Sequence, residues 1–128
     1  MATIPDSHRD LLEAQVATLG TIGSDGRPQL SEVWFIAEGD TIRMSLNTSR
    51  QKVKNLQRQP GCSVLILDIA NPYRYLEIRG DAEIVPDADY AFADKLGAKY
   101  ESDLRTRDEP GESRVIVTVQ ASRIRAWG

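Results

Sequence analysis

Four cations, Arg50, Lys52, Lys54 and Arg58, crowd the stretch SLNTSRQKVKNLQRQPGCSVLILD, Ser45 to Asp68, in a chain that is acidic overall. Hydroxyl and amide side chains, Ser45, Asn47, Thr48 and Ser49, stand immediately before them. An arginine fork, a lysine point charge and neutral donors at one place suit a phosphate. A helix starting here adds its unpaired first-turn N–H groups and the positive end of its dipole to the same attraction. Neither a Walker loop nor a dinucleotide fingerprint fits, because the glycine-rich pattern is missing. The competing reading is an ordinary solvated helix face, the commonest fate of a charge run. Convergence of the donors where a strand hands over to a short helix favours the anion site.

Other chemistry is sparse. No nucleophile stands beside a base, no metal-ligand spacing occurs, and no catalytic side chain is assigned. His8 reads as a surface residue of a polar N-terminal helix. Asp87 and Asp89 read as a helix-starting cap, and Cys62, at the head of an apolar strand, as a small core residue.

The elements that must position the cluster follow from periodicity. PDSHRDLLEAQ predicts a short helix from Pro5 to Gln15, capped by Asp6 or Ser7, with Leu11, Leu12 and Val16 buried. Three antiparallel strands follow, Val16–Ile22, Gln29–Ala37 and Thr41–Leu46, split by the turn sequences SDGRP and EGD. In SRQKVKNLQRQP, Val53 and Leu56 give a narrow apolar stripe, while Arg50, Lys54 and Arg58 recur every four residues on another face. Thr48 or Ser49 is the expected cap, and Pro60 with Gly61 the stop. CSVLILDIA and YLEIRGDAEIV read as strands joined by NPYR, and Ala88 to Ser102 as a helix. DLRTRDEPGES reads as a mobile polar loop, and RVIVTVQASRIRAWG as one long last strand. Six antiparallel strands with short flanking helices, mostly joined as hairpins, predict a mainly β, closed or partly closed barrel.

Bulk properties bound the function. At 128 residues, with 41% hydrophobic and 27% charged residues, the expectation is one globular domain, residues 1–128. A formal net charge of −3 argues against a nucleic-acid partner. The single cysteine precludes an intramolecular disulfide, and neither a signal peptide nor a transmembrane run of ~20 apolar residues is visible. The expectation is a cytoplasmic protein with no membrane partner.

The segment GRPQLSEVWFIAEGDTIRMSLNTSRQKVKNLQRQPGCSVLILD resembles the core of the pyridoxamine-phosphate-oxidase-like split β-barrel superfamily. It has the Gly-x-Pro turn, the VWF-like strand end, the Ser-bearing strand, the Arg-x-Lys-x-x-Asn-Leu helix and the Arg-x-Pro stop. YLEIRGDAEIV resembles the strand that follows, so the likeness runs from about Val16 to Ile124. It implies a homodimer with two flavin-type cofactors at the subunit interface. By position, Arg50 and Lys52 would hold the cofactor phosphate, with Gln51, Ser45 and Asn47 adding donors. Pro28, Gln29 and Ser31 would run along the ring, and Tyr73 would border the substrate pocket, with Trp34 and Trp127 as weaker candidates. The compact chain looks most like the branch that uses the deazaflavin coenzyme F420, with FMN the alternative. Lys54 and Arg58 are then candidates for the acidic tail. The terminal RIRAWG lacks the Arg-x-His segment of true pyridoxamine-phosphate oxidases. The implied activity is hydride transfer to a small electron-poor acceptor, the rivals being a non-catalytic cofactor carrier and a cofactor-free binding module.

Overall fold

The computed structural model describes residues 2–128. Eight antiparallel strands form one curled sheet: β1 Ala17–Ile22, β2 Pro28–Val33, β3 Ile36–Glu38, β4 Thr41–Asn47, β5 Gly61–Leu67, β6 Tyr75–Pro86, β7 Arg114–Gln120 and β8 Arg123–Trp127. The order across the sheet is β2-β1-β5-β6-β7-β4-β3, with β8 also paired to β6. Two α-helices, α1 Gln51–Arg58 and α2 Ala91–Lys99, flank it. This is the expected mainly β split barrel.

The barrel splits along β6. Its first half, Tyr75–Arg79, pairs with both β5 and β8, whereas Ala82–Pro86 pairs with β7. Alternating residues of β1, β5 and β6 turn inward, so Leu19, Val64, Ile66, Leu76 and Ile78 are all fully buried. Val53 and Leu56 of α1 join the same core, which is why the helix lies against β1.

Eight strands stand where six were expected because two of the runs are interrupted. The run from Gln29 to Ala37 breaks at Phe35, whose backbone groups leave the ladder. Its N–H donates to the Tyr100 hydroxyl at 3.1 Å, and its carbonyl accepts from Lys99 Nζ at 2.8 Å. The last strand breaks at Ser122, whose N–H donates to the Arg79 carbonyl at 2.9 Å.

Three local expectations change. The N-terminal helix is a 3-10 segment, Asp6–Glu13, with no side-chain cap; Leu11 is buried but Val16 is partly exposed. His8 is 4% exposed, not a surface residue. Its Nε2 donates to the Trp127 carbonyl at 3.0 Å and its Nδ1 accepts from the Ser7 hydroxyl at 2.8 Å, which ties the N-terminal segment to β8. DLRTRDEPGES carries a second 3-10 turn, Leu104–Arg107, with Leu104 buried. The aspartates before α2 behave as expected. Asp87 accepts from the N–H groups of Phe92 and Ala93, and Asp89 from that of Ala91.

Candidate functional site

The expected anion site begins where β4 ends. Asn47 Oδ1 accepts the Ser49 N–H at 2.8 Å, and Thr48 is held by the Ser113 carbonyl and hydroxyl. These bonds fix a tight turn into α1. The expected cap is not made: the residue at the cap position is Arg50, and among the described residues no side chain caps the first turn. Thr48 and Ser49 are committed elsewhere, so the N–H groups of Gln51 and Lys52 stay open at the positive end of the helix. An uncapped turn is a cost unless something else supplies the acceptor.

Arg50 and Lys52 flank that opening. Among the described residues neither has a carboxylate partner, although seven of the twelve arginines of this chain do. Burial, and then the charge of Arg50, pull the Lys52 ammonium below its ordinary pKa. Both effects disfavour a cation that stands alone, and the attraction of an arriving oxyanion would offset them.

One open groove of about 450 Å³ collects this chemistry. Ser45, Asn47, Arg50 and Lys52 line it together with Trp34 and Arg107. Its polar wall is a buried ion pair: Arg114 donates to Asp108 through Nε at 2.8 Å and through a terminal nitrogen at 2.9 Å. Asp108 also accepts from the Tyr90 hydroxyl at 2.7 Å and from the Asn47 amide at 3.0 Å. Burial pushes the Asp108 carboxyl up, but hydrogen bonds from Arg114, Tyr90 and Asn47, with the Arg114 charge, outweigh it and hold the pKa at about 2. Tyr90 reaches Asp108 from a left-handed backbone, φ 62°, a strained conformation for a non-glycine residue. Arg114 also donates to the carbonyl and hydroxyl of Ser45, so Ser45 and Asn47 belong to this supporting wall as much as to the opening.

Gln29 and Gln51 lie behind the turn. Asn55, fully buried on α1, donates to Gln29 Oε1 and Thr21 Oγ1, both at 3.1 Å, and accepts from Gln51 Nε2 at 2.9 Å. Asn55 thereby ties α1 to Thr21 on β1 and to Gln29 on β2, with Gln51 bracing its amide from within the helix. Ser31 lies on β2 two residues beyond Gln29, and its buried Oγ has no hydrogen-bond partner. A buried hydroxyl without a partner is rare and points to a missing acceptor or donor. Pro28 is exposed at the start of β2 and does not line the groove. Tyr73 stands 83% exposed on the β5–β6 turn, also outside it.

Asn55, Asp108, Arg114, Tyr90 and Arg107 carried no assignment from sequence. Asn55 had a signal, as the Asn of the Arg-x-Lys-x-x-Asn-Leu helix. The ion pair had none, because its partners are six residues apart in a stretch rich in charge. Trp34 was a weak candidate with a core reading. It is half-buried, stacked on Tyr100 with centroids 4.2 Å apart, and lines the groove.

The split β-barrel thus opens an uncapped helix start, Arg50 and Lys52 into one groove. The family model for pyridoxamine 5'-phosphate oxidase matches residues 4–128, and the chain belongs to that family. Its fold matches a solved structure named F420 reductase with a TM-score of 0.83 and 36% identity, over 95% of this chain and 98% of that one. A conserved hypothetical protein of Mycobacterium tuberculosis, Rv2991, matches at 0.78 and 27% identity, over 97% and 84%. HupZ of Group A Streptococcus, 20% identical with a TM-score of 0.75 over 96% and 93%, shares the fold. The coarse assignment is to an oxidoreductase of this family. No helix among the described residues is long and apolar enough to cross a membrane.

Proposed function

We propose that this protein uses reduced coenzyme F420 as a hydride donor to a small unsaturated or electron-poor organic acceptor, with the cofactor held at the interface of a homodimer. The observation that carries the reading is the pair Arg50 and Lys52, unpaired beside the open first turn of α1. The 36% identity to a chain named F420 reductase supports the deazaflavin over FMN.

The residues present fit the group. The open N–H groups of Gln51 and Lys52, with the Arg50 fork and the Lys52 ammonium, would hold the phosphate oxyanions. The Ser31 hydroxyl on β2, buried and without a partner among the described residues, is the group assigned to the ring. Gln29, Asn55 and Gln51 keep α1 at a fixed distance from that strand, so the phosphate and the ring are placed together. When bound, a reduced deazaflavin supplies the hydride; the chain supplies placement, and solvent the proton. Tyr73 would border the substrate from the partner subunit, which also accounts for its exposure on one chain.

Fluorescence titration of the purified protein with F420 and with FMN, side by side, tests the reading. F420 is expected to bind the more tightly. Lys52→Ala is expected to weaken it by roughly 1.5–3 kcal/mol, the range for a hydrogen bond to a charged group. An unchanged dissociation constant in that variant removes the site. Tighter binding of FMN replaces the cofactor and keeps the site. Binding of F420 without turnover against a panel of acceptors replaces the enzyme with a carrier.

A further inference from the structure

With seven of the twelve arginines paired to carboxylates, five are not, among the described residues. Arg50 and Arg107 line the groove beside α1, and Arg58 donates to the Ile22 carbonyl at 2.6 Å. The other two, Arg123 and Arg125, stand exposed on β8 with no hydrogen bond among the described residues.

Their cross-strand neighbours do not neutralise them. Arg123 lies directly opposite Arg79 on β6, and Arg125 directly opposite Glu77. Side chains so placed start about 4.5–5.5 Å apart, and like charges there destabilise the ladder. The rest of the Arg79 row, Ser63, Gly20 and Leu30, is uncharged. Glu77 turns along its own strand and accepts from Arg79 Nε at 3.2 Å. That bond leaves the two terminal nitrogens of Arg79 without a partner among the described residues. Asp81, the next carboxylate along β6, stands outside the pocket that these side chains form. The Arg125 guanidinium carbon is 5.4 Å from the centre of the Trp127 ring, which braces it.

Glu77, Arg79, Arg123 and Arg125 line one pocket of about 310 Å³, with Ile124 between the two β8 arginines. Three guanidiniums meet one carboxylate there, so two positive charges remain. Guanidinium forks match the paired oxygens of carboxylates and phosphates. A ligand with two negative charges would balance the pocket and offset the repulsion between Arg79 and Arg123. The groove beside α1 is a different place. Glu32, which lines it, and Arg125 stand at opposite ends of one row, four strand spacings or about 19 Å apart along the sheet.

We propose that Arg79, Arg123 and Arg125 form a site for a small dianion, a dicarboxylate or a phosphate monoester, on the outer face of β6 and β8. The site stands apart from the cofactor reading and does not depend on it. Carboxylates of a second copy are the competing occupant of the same guanidiniums.

Calorimetric titration with malonate, inorganic phosphate and acetate, at low and high salt, tests the site. The proteins are the wild-type chain, Lys52→Ala, the Arg123→Gln/Arg125→Gln double variant and Arg79→Gln. Without added anion the double variant is expected to unfold at the wild-type temperature or above it, because a like-charge contact is gone. Malonate is expected to bind the wild-type chain and Lys52→Ala equally, and the double variant at least about tenfold more weakly, as for lost charge-assisted hydrogen bonds. Arg79→Gln is expected to weaken it as well, which keeps the test open should the double variant misfold. Acetate is expected to bind at least about tenfold more weakly than malonate, and salt to weaken malonate. Either dianion binding the tighter sustains the site and names its acid group. Binding lost in Lys52→Ala but kept in the double variant places the anion at α1 and overturns the site. Acetate as tight as malonate reduces the arginines to screened surface charge and overturns it too. No saturable binding to the wild-type chain does the same and leaves the guanidiniums to the carboxylates of a second copy.

Discussion

Four hydrogen bonds converge on the Asp108 carboxylate, and their worth can be read from acid. The group titrates at about 2 in the folded chain against an ordinary 3.8. Between those values the unfolded chain takes up a proton and the folded chain does not. Falling pH therefore favours unfolding through that window, and the stabilisation is complete above it. The difference corresponds to roughly 2 kcal/mol, lost as pH falls from about 5 to 2. Asp108→Asn is expected to lose that part of the acid dependence. At neutral pH it is expected to be less stable by about 3 kcal/mol, because Arg114 is left buried without a counter-charge. Urea unfolding of both proteins at pH 7, 5 and 3 checks this. Parallel midpoints across the three conditions would show that the carboxylate contributes no pH-dependent stability. At this scale the sequence was only half informative. Arg50 and Lys52, which line the groove, stood out by type and spacing, whereas Asp108 lay in a stretch whose polarity concealed a residue with a 6% exposed side chain.

Strand β6 changes partners within a single element, and Gly80 stands at the change. Arg79 is the last residue paired with β8 and Ala82 the first paired with β7, so the β7–β8 corner passes directly over the glycine. A Cβ there would collide with the Gln120 carbonyl oxygen, which belongs to backbone and has no rotamer to yield. Gly80→Ala is expected to destabilise by about 2 kcal/mol, the middle of the range for overpacking, and so to lower the urea midpoint by about 1 M. A midpoint within error of wild type would mean that the corner has slack. The same corner explains what periodicity did not reveal. Hairpin turns such as SDGRP and EGD, and the stop of α1 at Pro60 and Gly61, are written locally in glycine, proline and aspartate. The breaks at Phe35 and Ser122 carry no such mark. They arise because Tyr100 and Lys99, more than sixty residues away, take the backbone groups of Phe35, and because Arg79 takes the N–H of Ser122. Those contacts exist only after the chain has folded.

The outer face of β2, β1, β5, β6 and β8 bears on the state of the whole molecule. Cross-strand register sets Leu30, Gly20, Ser63, Arg79 and Arg123 in one row, and Glu32, Thr18, Leu65, Glu77 and Arg125 in the next. Leu30 is 68% exposed, and Trp127 at the far edge 55%. A face carrying large apolar groups and both signs of charge can meet its own copy about a two-fold axis, carboxylates of one subunit opposite guanidiniums of the other. A stable contact needs about 800 Å² from each subunit, near a tenth of the 7304 Å² that this chain exposes. Glu32 stands on this face and also lines the groove, so such a contact would border it. Sedimentation is therefore expected to give about twice the chain mass of 14.2 kDa. Leu30→Asp, which places a charge on the apolar part of the face without touching the core, is expected to yield monomers. If the partner completes the site, the same variant is also expected to weaken F420 binding by at least about tenfold, or 1.4 kcal/mol. Monomers that bind the cofactor as tightly as wild type would place the whole site within one chain and leave Tyr73 without a role.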